Sequence, residues 1–234
     1  MQRRIILAAF LMSVALNAVA MVAGFSWASI LGLVVGWYLA DLASGVVHML
    51  FDYRPCPPGK RLNELFFYTG SRESEDYLAL VRDRMASVSA FDRLVYDFKN
   101  HHPRPMALGR RPVWRLIGSS VVLAALPMSL LLNIVAWVLP VPGWLVATAL
   151  ALIVGGAFAQ YFHGSLHRDD NPALIGWMRR LRLLMSPHAH QLHHDTLQRD
   201  FATNCGWSNP LINRVFNALR ARGYLVDAGL VPGP

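Results

Sequence analysis

Residues 185–196 read MSPHAHQLHHDT, and His188, His190, His193 and His194 fall within seven positions. Imidazole is the commonest side chain on a transition metal and binds in its neutral form. His190 and His194 are four apart, so they share a helix face, with His193 beside them. His163 and His167 repeat that spacing, His101–His102 form a bare pair, and His48 completes nine. Many imidazoles with few carboxylates among them suit iron, zinc, copper or nickel. Structural zinc takes four ligands, often cysteine. Here the imidazoles suffice for two ions with open positions, and the only cysteines are Cys56 and Cys205, which argues against a disulfide framework. No HExxH, GxSxG or Walker A pattern occurs. Two redox irons on a membrane face could activate O2 against an unreactive C–H bond, and lipid is the substrate such a site would meet. His188 breaks the HxxHH pattern and reads as a neighbour of the ligands or a bystander.

The elements that must position these side chains are transmembrane helices. About 20 apolar residues cross a bilayer. Residues 5–25, 116–139 and 144–162 carry no charge, and 27–51 carries only Asp41. The fold class expected is all-α: an integral membrane four-helix bundle of two hairpins, with a cytoplasmic His-rich helical cap. The links near Ser26 and over Pro140–Gly143 are short and uncharged. All 22 Lys and Arg lie in the MQRR tail, the loop 52–115 and the segment 163–234. The positive-inside rule puts those three segments, and both termini, in the cytoplasm. The +8 net charge therefore reads as topology and contact with anionic headgroups, with no nucleic acid partner. The whole chain, 1–234, reads as one membrane domain, and its compactness suggests a bacterial inner membrane. Arg3, Arg4 and the run to Ala18–Val19–Ala20 also fit a cleaved signal peptide, which would leave the later spans in place.

On this topology all nine histidines fall at or below the cytoplasmic ends of the spans. If the second span stays helical to its end, Asp41, Ser44, Gly45, His48 and Asp52 form one stripe running to the surface. Residues 73–100 read as a helix whose Phe91, Leu94, Val95 and Phe98 share an apolar face; it delivers His101–His102 and ends at Pro103. Asn171–Pro172 and Asn209–Pro210 are helix starts. The first opens ALIGWMRRLRLLM, suited to the headgroup plane or to packing on the core. The second opens a helix with Leu211, Val215 and Leu219 on one face and Gly223 as its C-terminal stop.

Four segments in order are DLASGVVHMLFD (41–52), FKNHHPRP (98–105), QYFHGSLH (160–167) and PHAHQLHH (187–194) followed by GWSN (206–209). Together they resemble the lipid desaturase family that includes plasmanylethanolamine desaturase and the plant plastid phosphatidylglycerol desaturase. The resemblance implies a di-iron membrane enzyme that removes two hydrogens from a lipid chain. It would use O2 as co-substrate and electrons from a small donor protein of ferredoxin or cytochrome b5 type. It implies as ligands His48, His101, His102, His163, His167, His190, His193 and His194. Asp41 and Asp52 match acidic positions and are expected to orient ligand imidazoles; a capping Asp41 is the alternative. His188, Asn204, Trp207 and Asn209 stand nearby, to shape the site or to pack. Three features depart from the family pattern: Met49 replaces an aromatic, YRPCPP replaces a Trp-Gly stretch, and the loop to His101 is longer. They imply a rebuilt lipid-facing region. Formation of the vinyl ether of plasmalogens from an alkyl ether phospholipid comes first among the functions. An acyl-phospholipid desaturase, a lipid hydroxylase, and a membrane metal transporter or sensor remain as alternatives.

Overall fold

The computed structural model describes residues 1–233, with no strand among them. In chain order the first elements are α1 (Gln2–Ala23) and α2 (Trp27–Tyr53). The loop after them carries α3 (Leu62–Phe66), α4 (Glu75–Ala86), α5 (Ala90–His101) and α6 (Met106–Gly109). A third long helix runs from Val113 to Val138 as α7 (Val113–Ser120), a π-helical turn (Val121–Ala125) and α8 (Leu126–Val138). It is followed by α9 (Gly143–Ser165), α10 (Ala173–Arg180), α11 (Pro187–Thr196) and α12 (Asn209–Ala221). Four helices are long and apolar enough to cross a membrane: α1, α2, α7–α8 and α9.

Helices α2 and α9 form the central pair. A side chain at Gly32 would sit 2.4 Å from the Trp144 carbonyl oxygen, and one at Gly36 would sit 2.1 Å from that of Thr148. Small residues every fourth position let the two backbones touch, which is how helices associate where lipid removes the hydrophobic drive. α1 joins α8 through a polar clasp. Ser13 and Ser129 share a hydroxyl hydrogen bond of 2.7 Å, Asn17 Nδ2 donates to the Ser129 carbonyl at 2.9 Å, and Asn133 Nδ2 donates to that of Ser13 at 3.1 Å. Elsewhere these helices expose Leu11, Val19, Leu31, Leu131 and Trp137, as a lipid-facing surface requires.

The π-turn has a local cause. Pro127 lacks an N–H and its ring crowds the carbonyl one turn back, and a widened turn relieves both. Outside the spans, α4, α5 and α11 each start on a serine whose side chain accepts a backbone N–H: Ser74 from Tyr77, Ser89 from Asp92 and Ser186 from Ala189.

Several expectations change. The single helix over 73–100 is two, α4 and α5, divided at Ser87–Ser89, because Ser89 caps the second. Helix 173–185 stops at Arg180, with Arg182 in the left-handed region at φ 58°. Asn171 is not its cap; its side chain holds the Ser165 and Arg168 carbonyls instead. In α12 the buried face is Ile212 and Phe216, while Leu211 and Val215 are exposed. Gly223 does end that helix, at φ 74°. Met49 does not face lipid; it is buried among Tyr53, Phe201, Ile212 and Phe216. The longer loop builds its own small core of Cys56, Leu62, Leu65, Phe66, Val88, Val95 and Tyr96.

Candidate metal centre

The chain ends of α2, α5, α9 and α11 converge, and their side chains sort into two groups. In each group, one donor atom per residue lies within 4.8 Å of all the others. The first group is His101, His163, His167, His190 and His194; the second is His48, Asp52, His102 and His193. Helix geometry explains the membership. Residues four apart stay together: His163 with His167, His190 with His194, His48 with Asp52. Adjacent residues point about 100° apart, so each doublet is divided. His101 and His194 serve the first group, His102 and His193 the second.

The donor atoms are arranged for a cation rather than for one another. His190 Nε2 lies 3.1 Å from His163 Nε2, 3.3 Å from His167 Nε2 and 3.1 Å from His194 Nε2. An imidazole nitrogen has one proton or one lone pair, so it cannot satisfy three such neighbours by hydrogen bonding. Nitrogens each about 2.0–2.1 Å from a shared ion would be about 3 Å apart. In the second group His193 Nε2 is 3.3 Å from His102 Nε2, and Asp52 Oδ2 is 3.3 Å from both His48 Nε2 and His193 Nε2. Both carboxylate oxygens of Asp52, with His48 Nε2 and His101 Nε2, are buried without a hydrogen-bond partner. A buried carboxylate left this way costs several kcal/mol, which a coordinated cation offsets. The residues present therefore fit a bound metal in each group.

Backbone carbonyls set the rings. Phe201 O lies 2.9 Å from His48 Nδ1, Arg199 O lies 2.9 Å from His193 Nδ1, and Phe98 O contacts His101 Nδ1. A carbonyl on Nδ1 fixes the tautomer that leaves the Nε2 lone pair facing inward. Burial, then neighbouring imidazoles, hold His101, His102 and His190 well below the ordinary histidine pKa. The same causes bring His167 to about 3 and, with His193 as the main neighbour, His194 to about 4. These imidazoles are neutral at physiological pH, the form that binds metal.

The expected outer residues divide. Asp52 stands among the donors themselves rather than behind them. Asp41 does not touch an imidazole. Its Oδ1 accepts the Cys205 and Gly206 N–H groups at 2.8 and 2.9 Å, and its Oδ2 accepts the Ser208 N–H at 2.9 Å and hydroxyl at 2.7 Å. It fastens the 205–208 loop to α2, and Phe201 O reaches His48 from the same stretch. Asn209 Oδ1 accepts the Ala202 N–H at 2.8 Å, and Asn204 Nδ2 donates to Gly155 O at 3.1 Å, so both hold that stretch in place. Trp207 is partly exposed, and His188 is exposed and belongs to neither group. Lys99 has no sequence signature, yet it is fully buried and donates to the Phe51 and Asp52 carbonyls at 2.9 and 2.6 Å. Its ammonium caps the last turn of α2.

One side chain from each group, His48 and His163, opens into a cavity of ≈ 380 Å³ between α2, α5, the third span and α9. That volume is in the range of small-molecule sites. Its walls include Ala40, Val47, Phe98, Ala124, Met128 and Gly156.

Four apolar spans with two convergent imidazole-rich groups at one end define a membrane protein whose clustered donors could hold metal ions. The lipid desaturase domain model matches residues 86–221, more than half of the sequence, and the chain belongs to the lipid desaturase family. It is similar to plasmanylethanolamine desaturase of Myxococcus xanthus, with 26% identity over 214 residues. That alignment covers 88% of this chain and 64% of the relative, so the chain spans under two thirds of that protein's length. No solved structure matches it.

Proposed function

We propose that the protein is a membrane lipid desaturase that uses two iron ions and O2 to remove two hydrogens from a lipid chain. The observation carrying this reading is that His48 and His163, one from each donor group, close one end of an apolar cavity between the spans. A hydrocarbon chain from the bilayer would meet the centre there. In this reading all eight histidines, with Asp52, hold the ions, and Asp41, Asn204 and Asn209 keep the loop that orients them. Iron bound there supplies the O2 chemistry that breaks C–H bonds. The protein's own residues do the rest. Phe51, Phe98 and the α9 face position the chain, while burial of His48, Asp52, His163 and His193 keeps bulk water from the reacting carbons. His167 and His194 are partly exposed and face the side from which a ferredoxin or cytochrome b5 type protein would deliver electrons.

The whole chain acts as one desaturase domain in a bacterial inner membrane, with both termini and the histidine cap on the cytoplasmic side. The first substrate to test is an alkyl ether phospholipid, giving the vinyl ether of a plasmalogen; an acyl phospholipid is second. Lipid extracts from cells expressing the intact protein, compared with His193→Ala cells, decide between them. Loss of two hydrogens with O2 present supports desaturation, and acid lability of the product identifies a vinyl ether. An added oxygen instead would make it a hydroxylase. Retained metal with no O2-dependent lipid change would make it a transporter or sensor. Metal analysis should find iron, and stoichiometric zinc after iron-replete growth would overturn the reading.

A further inference from the structure

Gly155 and Gly156 are neighbours in the middle of α9 and do opposite work. A side chain at Gly155 would come within 2.6 Å of the Ala40 Cβ, so that glycine exists for helix packing. A side chain at Gly156 would meet nothing within 4 Å, because the residue faces the cavity. Glycine inside a helix costs about 0.8–1.0 kcal/mol relative to alanine, and no contact explains it here. What Gly156 supplies is space.

The location of that space is informative. Leu152, Gly156, Gln160 and His163 all line the cavity and form one stripe along α9. Gly156 lies seven residues from His163, about 10 Å along the helix. The polar side chains facing the cavity are Ser44, Ser119, Ser120, Gln160, Thr203 and the two histidines. Ser44 and Gln160 each lie one turn from a donor histidine, and Ser119 and Ser120 lie on the donor side of the π-turn. Beyond them the lining is apolar and includes Ala40, Ala124, Met128, Leu152 and Gly156. The charged segments of the chain lie at the histidine end, so lipid headgroups belong there and the apolar end points into the bilayer.

Resting on the desaturase reading, we infer that Gly156 sets the length of hydrocarbon accepted beyond the reacting carbons, in lipids whose reacting bond is near the headgroup and whose tail runs past it. A bulky residue at 156 would shorten the cavity without displacing backbone. Ala124, on the third span, lines the same cavity and offers a second position at which to fill it.

The test uses the full chain in membranes, with two lipids of one headgroup, one long-tailed and one short-tailed. Gly156→Leu and Ala124→Leu should each lower the long-to-short turnover ratio at least about tenfold, the factor that goes with excluding about two buried methylenes. Gly156→Ala should leave that ratio near wild type. An equal loss on both lipids in both leucine variants would overturn the inference. Thermal stabilisation of the purified protein by each lipid gives a readout independent of turnover. If wild type desaturates neither lipid, the desaturase reading fails, and the chain selector stands or falls on whether the leucine variants lose stabilisation by the long lipid alone.

Discussion

The two donor groups share α5 and α11 but take their remaining donors from different helices, α9 for the first and α2 for the second, and they differ in charge and exposure. The second group sets one carboxylate among three imidazoles and is the more enclosed: Asp52 and His193 are 0% exposed and only His102 is of intermediate burial. The first has five imidazoles and no carboxylate, and its His167 and His194 are only partly buried. Two cations held close together repel, and one buried negative charge offsets part of that repulsion. The inequality teaches that the two groups offer a cation unequal surroundings: the second adds a buried negative charge, and the first has more of its imidazoles partly exposed.

The variant that breaks this contrast most severely is His190→Ala. Its Nε2 faces three other donors, so its loss opens the first group at the centre. Iron content should fall from about two per chain toward one, and turnover should fall more than about 100-fold. Asp52→Asn comes next. It keeps the shape and removes the charge, so the second group should bind its ion about 10–100-fold more weakly. The five-imidazole group should keep its own. Metal analysis of the two variants side by side checks the assignment; identical losses in both would mean one coupled site rather than two unequal ones.

Acid tests the metal-free centre by another route. His167 at about 3 and His194 at about 4 lie below the unfolded histidine value of about 6.5. Such groups take up protons more readily unfolded than folded, so the metal-free protein loses stability as pH falls below about 6.5 toward 4 and is unaffected above that window. Amide exchange of the metal-free protein should show α11 opening first, since it carries His194 at its partly exposed end. Unchanged protection of 190–194 down to pH about 4.5 would contradict this.

How much of this was legible follows from the period of each signal. Apolar runs and charge placement gave the four spans, because both are local properties of sequence. The i, i+4 pairs His163/His167 and His190/His194 already stated which residues share a helix face. The same rule applied to His48 and Asp52 would have put the carboxylate among the donors. The bare doublet at His101–His102 was ambiguous in sequence; only the convergence of four helix ends shows that each doublet feeds two groups. The sequence leaves Asp41 open between orienting an imidazole and capping backbone groups; the structure bears out the second, with partners more than 160 residues away in the 205–208 loop. Lys99, Phe201 and the open face of Gly156 are tertiary facts with no local trace.

Asp41 and Asp52 lie on one stripe of α2 and sharpen the comparison further. Asp41→Asn would place an amide N–H₂ against backbone donors that now point at a carboxylate. The expected cost is about 1–3 kcal/mol of stability, read as a lowered melting midpoint in detergent. Iron content at saturating metal should stay near wild type, unlike Asp52→Asn.

The smallest effect belongs to His188. It sits on α11 two residues before His190, about 200° around the helix from it, so the face that carries His190 and His194 cannot also carry His188. Its ring is exposed and outside both donor groups. His188→Ala should leave iron content and turnover unchanged and stability within about 0.5 kcal/mol. Loss of metal in that variant would mean that α11 turns on binding, and the division of the 193–194 doublet between the two groups would have to be redrawn.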